Sequence, residues 1–364
     1  MCIRDRCIYD KTVMITGCGG SIGSELSRQI VKLKPKKIIL LEQSEYFLYE
    51  IDLEIRSIIR ANKLTVEVET HLGSVQDKQF VKNIFDNNKI NTVYHAAAHK
   101  HVPLVEDNPL TAVQTNILGT YVVATESFNT NVDNFVLVSS DKAVRPTNIM
   151  GATKRFSEII LQAFQDKVDE SESKKYSTKF SMVRFGNVLD TSGSVVPLFR
   201  KQIASGGPIT VTDPNVMRYF MTIKEATELV IQAGSLSKGG DVFLLEMGSP
   251  INILDLAKQM IKLSGKQIKD TFNPNGDIEI EFTGLRPGEK LYEELLIGDD
   301  VQKTSHQHIM TANEEKLSFS TVESFIEKFQ DLDAFCTKNS IQQILFNAVS
   351  GYNPDSKKVI KLKK

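Results

Sequence analysis

The chain has 364 residues, of which 41% are hydrophobic, and its 44 lysines and arginines nearly balance its 45 aspartates and glutamates. The apolar content is enough for a full core, and a net charge of −1 lacks the basic excess that a nucleic-acid-binding protein shows. The length suits a nucleotide-binding domain with a smaller appended lobe.

The cysteines and the N-terminus indicate a cellular compartment. Cys2, Cys7, Cys18 and Cys336 have neither zinc-ligand spacing nor a paired framework, so we predict a cytoplasmic protein. No apolar run approaches the length that spans a bilayer, and we expect neither a membrane segment nor a nucleic-acid partner. The first residues are too polar for a secretory signal, and residues 1–10 are predicted to be a disordered or foreign extension.

The first predicted strand, Thr12–Thr16, leads into a glycine-rich turn and then a helix that continues to about Lys34. The glycines have GxxGxxG spacing, which lets backbone N–H groups approach a pyrophosphate at a helix N-terminus. A purely structural turn is the alternative, but the strand before it and the helix after it favour a dinucleotide site. The residues predicted to bind the cofactor here are Gly17, Gly20, Ser21, Ile22 and Gly23.

Glu42 stands at the end of the second predicted strand, which covers residues 37–41. An acidic residue in this place accepts hydrogen bonds from both ribose hydroxyls of an adenosine and repels a 2′-phosphate, so the sequence favours NAD over NADP. The alternative is that Glu42 is a solvated side chain beside Glu45 and binds no ribose. Residue spacing then predicts a helix at 48–59, a strand at 64–72 and a helix at 80–85.

The fourth predicted strand, Thr92–His95, is followed by small residues and then by basic ones. The small residues let the backbone pass closely beneath a cofactor, and the basic ones are predicted to face the active site. His99 and His101 alternate as metal ligands do, but no third ligand is evident, so no metal site is predicted. The candidates here are Ala96, Ala97 and Lys100 for the cofactor and His101 for the substrate.

A helix from about residue 107 to 128 carries Asn116, and the apolar run Phe135–Val138 predicts a buried parallel strand. A hydroxyl, a carboxylate and an amine follow this strand, at the edge where open α/β sheets place their ligands. On the next helix, Met150 and Lys154 share one face. The alternatives are that Met150 only packs in its helix, that Asp141 is a turn residue and that Lys142 is a solvated charge. The candidate catalytic residues are Ser140, Asp141, Lys142 and Lys154.

Six predicted strands, the last at 180–185, alternate with helices, and this pattern predicts a doubly wound parallel sheet. We place this Rossmann domain at residues 11–185. Its SSDK and MGATK segments resemble the layout of the short-chain dehydrogenase/reductase superfamily, with Met150 in place of the catalytic tyrosine. A thioether cannot give or take a proton, so Met150 cannot be the acid or base.

Beyond this domain, shorter strands and helices predict a small α/β lobe at 186–298 that binds the substrate. Arg286 lies on an Arg-Pro-Gly turn with Lys290 four residues later, which suits a diphosphate because the guanidinium is a planar fork for phosphate oxygens. A turn without a ligand is the alternative. The tail at 299–364 is left without a role. Further substrate-binding candidates are Asn187, Val195 and Arg218.

An ordered set of motifs makes the resemblance more specific. The set comprises GGSIGSEL, AAAHKHVPLVE, SSDKAVRPTNIMGATKR, RFGNVL with SGSVVPLF, RYFMT and LRPGEKLYEEL. Together these motifs, over about residues 11–298, resemble the UDP-N-acetylglucosamine 4,6-dehydratases of bacterial polysaccharide and glycan biosynthesis. Met150 resembles the branch of that family that retains configuration at C5.

The resemblance implies an extended short-chain dehydrogenase/reductase fold, tightly held NAD, a UDP-sugar substrate and a homo-oligomer. It implies that Asp141 protonates the departing C6 hydroxyl and that Lys142 removes the C5 proton. Ser140 would hydrogen-bond the C4 oxygen, Lys154 would hold the nicotinamide ribose, and Asn116 resembles the asparagine that supports this lysine. The C4 hydroxyl proton leaves through a water or through Asp141.

Two other functions fit parts of this pattern. One is a nucleotide-sugar 4-epimerase, for which Met150 is a poor fit because that chemistry depends on the tyrosine. The other is a catalytically inactive protein that binds NAD and a nucleotide sugar as a sensor or scaffold. Met150 favours this second alternative, and the Asp141–Lys142 pair argues against it.

Overall fold

A nine-stranded sheet organises the chain in the computed structural model, which describes residues 3–171, 176–294 and 301–354. Its spatial order is β8-β9-β7-β6-β5-β4-β1-β2-β3, so the doubly wound order 3-2-1-4-5-6 is confirmed. The first six strands and β7 run parallel, whereas β9 and β8 are antiparallel additions. The strands are β1 (Thr12–Thr16), β2 (Lys37–Glu42), β3 (Glu67–Leu72), β4 (Thr92–His95), β5 (Asn134–Val138), β6 (Lys179–Arg184), β7 (Asp241–Leu245), β8 (Val301–Lys303) and β9 (Ile309–Ala312).

Helices cover both faces of the sheet, and several begin at a side chain that accepts a backbone N–H of the first turn. These capping residues are Ser44, Asp77, Asn148, Thr222, Asn252, Ser318 and Thr337. Within the described ranges, no helix has both the length and the apolar content to cross a bilayer. The helices are α1 (Ser21–Lys32), α2 (Glu45–Ala61), α3 (Lys78–Asn87), α4 (Val102–Asp107), α5 (Pro109–Ala112), α6 (Thr120–Asn129), α7 (Ile149–Asp169), α8 (Val195–Ala204), α9 (Ile223–Leu236), α10 (Ile253–Leu263), α11 (Phe319–Gln330) and α12 (Lys338–Ala348).

The helix predicted at about 107–128 is interrupted in the structure. A π-helix, Val113–Gly119, joins α5 to α6. Such π turns occur mostly at functional sites, and this one contains Asn116. Two short 3₁₀ turns, Ile3–Cys7 and Asp141–Ala143, complete the helical elements.

The small lobe has its own core. Three parallel strands, Ile209–Val211, Ile268–Lys269 and Ile278–Phe282, pack with α8 and α10 around Phe199 and other buried residues. Two pairs of short strands link the lobe to the sheet: Asn187–Val188 with Phe220–Met221, and Met217–Arg218 with Ile251–Asn252.

Residues 1–10 are predicted to be a disordered or foreign extension, but residues 3–10 are ordered against the rest of the chain, and whether the segment is foreign stays open. Ile8 is fully buried, and the Cys7 carbonyl accepts a hydrogen bond of 2.6 Å from the Thr92 hydroxyl at the start of β4. The Cys7 thiol lies 3.7 Å from the Gly234 carbonyl of α9. This segment therefore packs between the sheet and a helix.

The large sheet also extends past residue 185, where the predicted nucleotide-binding domain ends. Strand β7, which we expected in the small lobe, pairs with β6, and the tail strand β9 pairs with β7. The tail helices α11 and α12 pack on α7, in which every residue from 149 to 165 is buried. The tail therefore builds part of the nucleotide-binding layer.

A buried ionic cluster fastens the tail to the centre of the sheet. Glu158 of α7 accepts hydrogen bonds from Ser139, Arg155 and Arg184, and Glu314 of the tail pairs with both arginines. Although burial favours the neutral acid, the two guanidiniums hold the pKa of Glu158 at about 2. Ser139 directly precedes the candidate catalytic residues, so the cluster also anchors the end of β5.

We predict that Glu314→Ala lowers the free energy of unfolding by about 3–5 kcal/mol, because it leaves two buried guanidiniums short of a counter-charge. Lys316→Ala is the control, since its pair with Asp166 is exposed and should contribute about 1 kcal/mol or less. Urea unfolding followed by circular dichroism measures both. Equal, small losses for the two variants would show that the cluster does not fasten the tail.

Candidate active site at the carboxyl edge of the sheet

The glycine-rich turn after β1 forms a tightly packed cradle. Gly17 has φ +65°, and a Cβ atom on it would lie 2.7 Å from the backbone of Ala97. A Cβ atom on Gly23 would lie 2.0 Å from the Gly17 carbonyl oxygen. The α1 N-terminus at Gly20 has no capping hydrogen bond from a described side chain, so its first N–H groups suit a pyrophosphate. Ser21 and Ile22 are half-buried in that first turn.

Glu42 lies where the sequence predicts, at the end of β2 beside this cradle. Its carboxylate accepts hydrogen bonds from the backbone N–H groups of Gly19, Gln43 and Ser44 at 3.0–3.1 Å. These three donors fix the carboxylate at the mouth of a cleft and leave it further acceptor capacity. The ribose contact stays a prediction. The cleft is lined by Gly17, Gly20, Leu41, Glu42, Gln43, Phe47, Gly73, Val75, Ala96, Ala97, Ala98, His99 and Thr115.

The catalytic candidates form one short turn at the end of β5. The Asp141 N–H donates to the Phe185 carbonyl at 3.0 Å, which ties the turn to the end of β6. The Ser140 hydroxyl donates to Asp141 Oδ1 at 2.9 Å, and Lys142 Nζ donates to the same oxygen at 3.0 Å. The structure thus brings the predicted hydroxyl, carboxylate and amine into direct contact.

Lys142 meets the small lobe through two further groups. Its Nζ atom donates to Asn187 Oδ1 at 3.3 Å, and it lies 3.6 Å from Oε1 of Glu293. Glu293 is buried and was not among the predicted site residues. It falls within the LYEEL motif, but a glutamate in a charged segment is usually solvated, so only the fold reveals that it reaches Lys142.

Burial and neighbouring charges shift the pKa values of Asp141, Lys142 and Glu293 in opposite directions. Burial raises the pKa of Asp141, as does the charge of Glu293, while Lys142 opposes the rise. Burial alone would lower the pKa of Lys142, but the carboxylates of Asp141 and Glu293 raise it above its usual value. Burial would raise the pKa of Glu293, yet Lys142 and Arg218 hold it below its usual value. The geometry therefore favours a protonated acid at Asp141.

The second oxygen of Asp141 lies close to Gly186. Oδ2 is buried and has no hydrogen-bond partner among the described residues. A Cβ atom on Gly186 would lie 3.1 Å from this oxygen and 3.3 Å from both the Met247 methyl and Tyr219 Cβ. An ionised oxygen without a donor is costly in such a place, and a protonated oxygen is less so.

Helix α7 presses its first turn against the catalytic turn. A Cβ atom on Gly151 would lie 2.2 Å from the Lys142 carbonyl oxygen, so the absence of a side chain permits this approach. Met150 is 2% exposed and belongs to the main apolar core. Lys154 Nζ donates to the Val138 carbonyl at 2.6 Å, and burial lowers its pKa to about 8.

Asn116 joins two parts of the site, but the hydrogen bonds of its side chain go to residues other than Lys154 in the described part of the chain. Its side chain accepts from the His99 N–H at 2.8 Å and donates to the His99 carbonyl and to the Thr153 hydroxyl at 3.0 Å. It therefore clamps the segment after β4 against α7, and a direct cofactor contact stays a prediction. No cluster of possible metal ligands occurs in the described residues.

The predicted phosphate-binding loop lies over the catalytic turn. The Gly288 carbonyl accepts from the side chains of Thr147 and Asn148 at 2.8 and 3.1 Å. Lys290 Nζ donates to the Val144 carbonyl at 2.9 Å, so it already holds the loop in place. The side chain of Arg286 is exposed, as a diphosphate ligand must be.

The other substrate candidates occupy the wall between the two lobes. Arg218 is buried and donates to the carbonyls of Met217 and Leu291 and to Glu289, so most of its donors are already engaged. Val195 begins α8. His101 is the N-cap residue of α4. Its ring packs against Gly193, which has φ +69° and where an added Cβ would lie 2.3 Å from the ring. Lys100 is exposed beside it.

Comparisons with known proteins show which proteins this chain is similar to. A model of the family described as "Polysaccharide biosynthesis protein" matches residues 13–314. The capsular polysaccharide biosynthesis protein CapD of Staphylococcus aureus is 50% identical over 301 residues, which are 83% of this chain and 47% of CapD. The chain thus spans about half the length of that relative. A UDP-glucose 4-epimerase of Rickettsia rickettsii is 32% identical over 294 residues, 81% of this chain and 80% of the epimerase.

Among solved structures, Pen from Bacillus thuringiensis superposes with a TM-score of 0.72 at 32% identity. The match covers 88% of this chain and 99% of Pen. The similarity therefore extends through both lobes.

We predict that Gly17→Ala weakens NAD binding at least tenfold, because a Cβ atom there meets the Ala97 backbone in addition to the cost of a left-handed φ. Gly265→Ala is the matched control. Gly265 has φ +74°, and no described heavy atom lies within 4 Å of its added Cβ. Titration of the purified variants with NAD, followed by calorimetry, measures the affinity. Equal affinities in the two variants would exclude the turn as the cofactor cradle.

Proposed function

The chain belongs to the polysaccharide biosynthesis protein family, and we propose that it is an NAD-dependent nucleotide-sugar 4,6-dehydratase. One observation carries the proposal: a buried acid, Asp141, and a partly buried amine, Lys142, touch each other at the carboxyl edge of the sheet, where the small lobe also contacts Lys142. Removal of water across two carbons needs one group that gives a proton and one that takes a proton. This pair supplies both.

The cradle at Gly17 and the carboxylate of Glu42 support NAD as the cofactor. Bound NAD supplies an acceptor for the C4 hydride and later a donor of that hydride to C6, so the reaction has no net redox change. Lys154, buried at the end of β5, is the residue that holds the nicotinamide ribose. The Ser140 hydroxyl donates to Asp141 Oδ1 in this structure, and its rotation toward a bound sugar would make it the donor for the C4 oxygen.

The two catalytic residues divide the elimination between them. The C4 ketone acidifies the C5 proton, and Lys142, which has first lost its ammonium proton to a water, takes this C5 proton as a free amine. Asp141 gives a proton to the C6 hydroxyl, which leaves as water while a C5–C6 double bond forms. Once C6 is reduced, Lys142 gives a proton back to C5. The C4 hydroxyl proton leaves through Asp141 or through a water.

The substrate we propose is UDP-N-acetylglucosamine, and the product is UDP-2-acetamido-2,6-dideoxy-4-hexulose with configuration retained at C5. The exposed Arg286 on the loop over the catalytic turn supports a diphosphate ligand, because guanidinium binds phosphate oxygens in a forked geometry. Asn187, which contacts Lys142, lies where it can orient the sugar. Membership of a polysaccharide biosynthesis family fits an activated sugar as substrate.

A 4-epimerase is the second candidate, because a protein of that name is 32% identical to this chain. Epimerisation at C4 needs an acid/base at that carbon and no proton donor at C6. Met150 lies in the apolar core and offers no proton. The Asp141–Lys142 pair therefore favours dehydration.

We predict that Asp141→Asn and Lys142→Ala each lower turnover of UDP-N-acetylglucosamine by about 10²–10⁴-fold, since each removes a positioned acid or base. NAD should remain bound in both variants. Mass spectrometry of the nucleotide sugar, which loses one water on conversion, measures turnover. Near-wild-type activity in either variant would contradict the assignment of its role.

Met150→Leu is expected to keep turnover within a few-fold of wild type. The exchange conserves volume in a packed core and costs less than about 1.5 kcal/mol of stability. The same turnover assay applies, and thermal unfolding monitors the fold. A loss comparable with that of Asp141→Asn, in a folded variant, would show that the thioether has a role in the chemistry.

A further inference from the structure

Two buried carboxylates, Asp141 and Glu293, flank one ammonium, that of Lys142. Lys142 Nζ lies 3.0 Å from Asp141 Oδ1 and 3.6 Å from Glu293 Oε1. The side chains of both acids are at most 5% exposed. One carboxylate is enough to balance one ammonium, so the surroundings decide which of the two acids carries the negative charge.

The surroundings differ in the number of cations. Glu293 lies 4.0 Å from Nε of Arg218, in addition to Lys142, and its loop also carries Lys290. Asp141 has Lys142 as its one cationic partner among the described residues, and it faces the negative charge of Glu293. A carboxyl group with two cations beside it ionises more readily than one with a single, shared cation.

The hydrogen bonds to Asp141 fit a neutral acid. Oδ1 accepts from both Ser140 and Lys142, as the carbonyl oxygen of a protonated carboxyl can. Oδ2 is buried and has no hydrogen-bond partner among the described residues, so it is the free position for a proton. Oε2 of Glu293 has no partner among them either, so the number of neighbouring cations is what distinguishes the two acids.

We propose that Glu293 is the counter-ion of Lys142, so that Asp141 keeps a proton before turnover begins. Glu293 is thus a positioning residue that acts through Asp141 and Lys142. This role of Glu293 rests on the proposed function, because a protonated Asp141 matters only if it protonates the departing C6 hydroxyl. An acid that already holds its proton cannot accept another from the C4 hydroxyl, so that proton leaves through a water. Lys142, as an ammonium, likewise gives a proton to a water before it takes the C5 proton.

Asp141, Lys142, Glu293 and the charged groups around them come from three parts of the fold. The catalytic turn gives Asp141 and Lys142, the short strand Met217–Arg218 gives Arg218, and the loop over the turn gives Glu289, Glu293 and Lys290. Glu289 pairs with Arg218 and so tempers its charge, but Arg218 still lies between the two glutamates. Glu294 of the same loop pairs with Arg145 and Lys290 instead of Lys142.

The test is a titration of the NAD-bound protein, labelled with ¹³C at the aspartate carboxyl and followed by NMR. The Asp141 signal is assigned by its loss in Asp141→Asn. Glu293→Gln is expected to lower the apparent pKa of Asp141 by about 1–3 units, because Asp141 then becomes the counter-ion of Lys142. Glu294→Gln is the matched control and should leave the pKa of Asp141 at the wild-type value.

An Asp141 pKa that is unchanged or higher in folded Glu293→Gln would overturn the proposal. If that variant does not fold, Glu293→Asp replaces it, because the shorter side chain draws the carboxylate away from Lys142. A smaller fall of the Asp141 pKa is then expected, and the absence of a fall would overturn the proposal.

Turnover gives a second readout that a merely structural role would not move. The decline of kcat with rising pH should shift to lower pH by one unit or more in Glu293→Gln and stay in place in Glu294→Gln. A uniform loss of kcat at every pH would overturn the proposal. The titration needs no sugar substrate, so wild-type protein that fails to convert UDP-N-acetylglucosamine refutes the proposed function and leaves the titration to decide the role of Glu293.

Discussion

The contact between Lys142 and two buried carboxylates is the constraint on which the site depends. An ammonium in a buried place is stable only with a counter-charge, and a second carboxylate beside it is stable only with a further cation or a proton. Asp141 comes from the end of β5, whereas Glu293 and Arg218 come from the small lobe. The carboxylate proposed as counter-ion of Lys142 and its second cation both come from the small lobe, so the electrostatics of the site depends on the docking of the two lobes.

The rest of the fold holds the parts of this contact in place. Gly151 lets the first turn of α7 press on the Lys142 backbone, and the Gly288 carbonyl receives two side chains of the segment before α7. Behind the site, the Glu158 cluster fixes Ser139 and joins the tail to α7 and β6. The tail, although distant in sequence, thereby stabilises the strand end that carries the catalytic residues.

Much of this arrangement follows from local sequence. Apolar runs such as Phe135–Val138 and the glycine spacing after β1 predict the doubly wound sheet and the cradle, because they depend on neighbouring residues. The position of β7 in the large sheet and the reach of Glu293 depend on how distant segments pack, and no local pattern encodes that. Arg218 shows the same limit: the sequence predicts that it binds substrate, which stays a prediction, but only the fold reveals the carbonyls and glutamates around it.

Removal of water from a nucleotide sugar leaves a distinct signature in proton NMR of UDP-N-acetylglucosamine incubated with the NAD-bound protein in D₂O. We expect a new C6 methyl signal, deuterium at C5 from a lysine proton that exchanges with solvent, and ring couplings that show retained configuration. A changed configuration at C4 with the C6 hydroxyl still present would contradict dehydration and identify an epimerase.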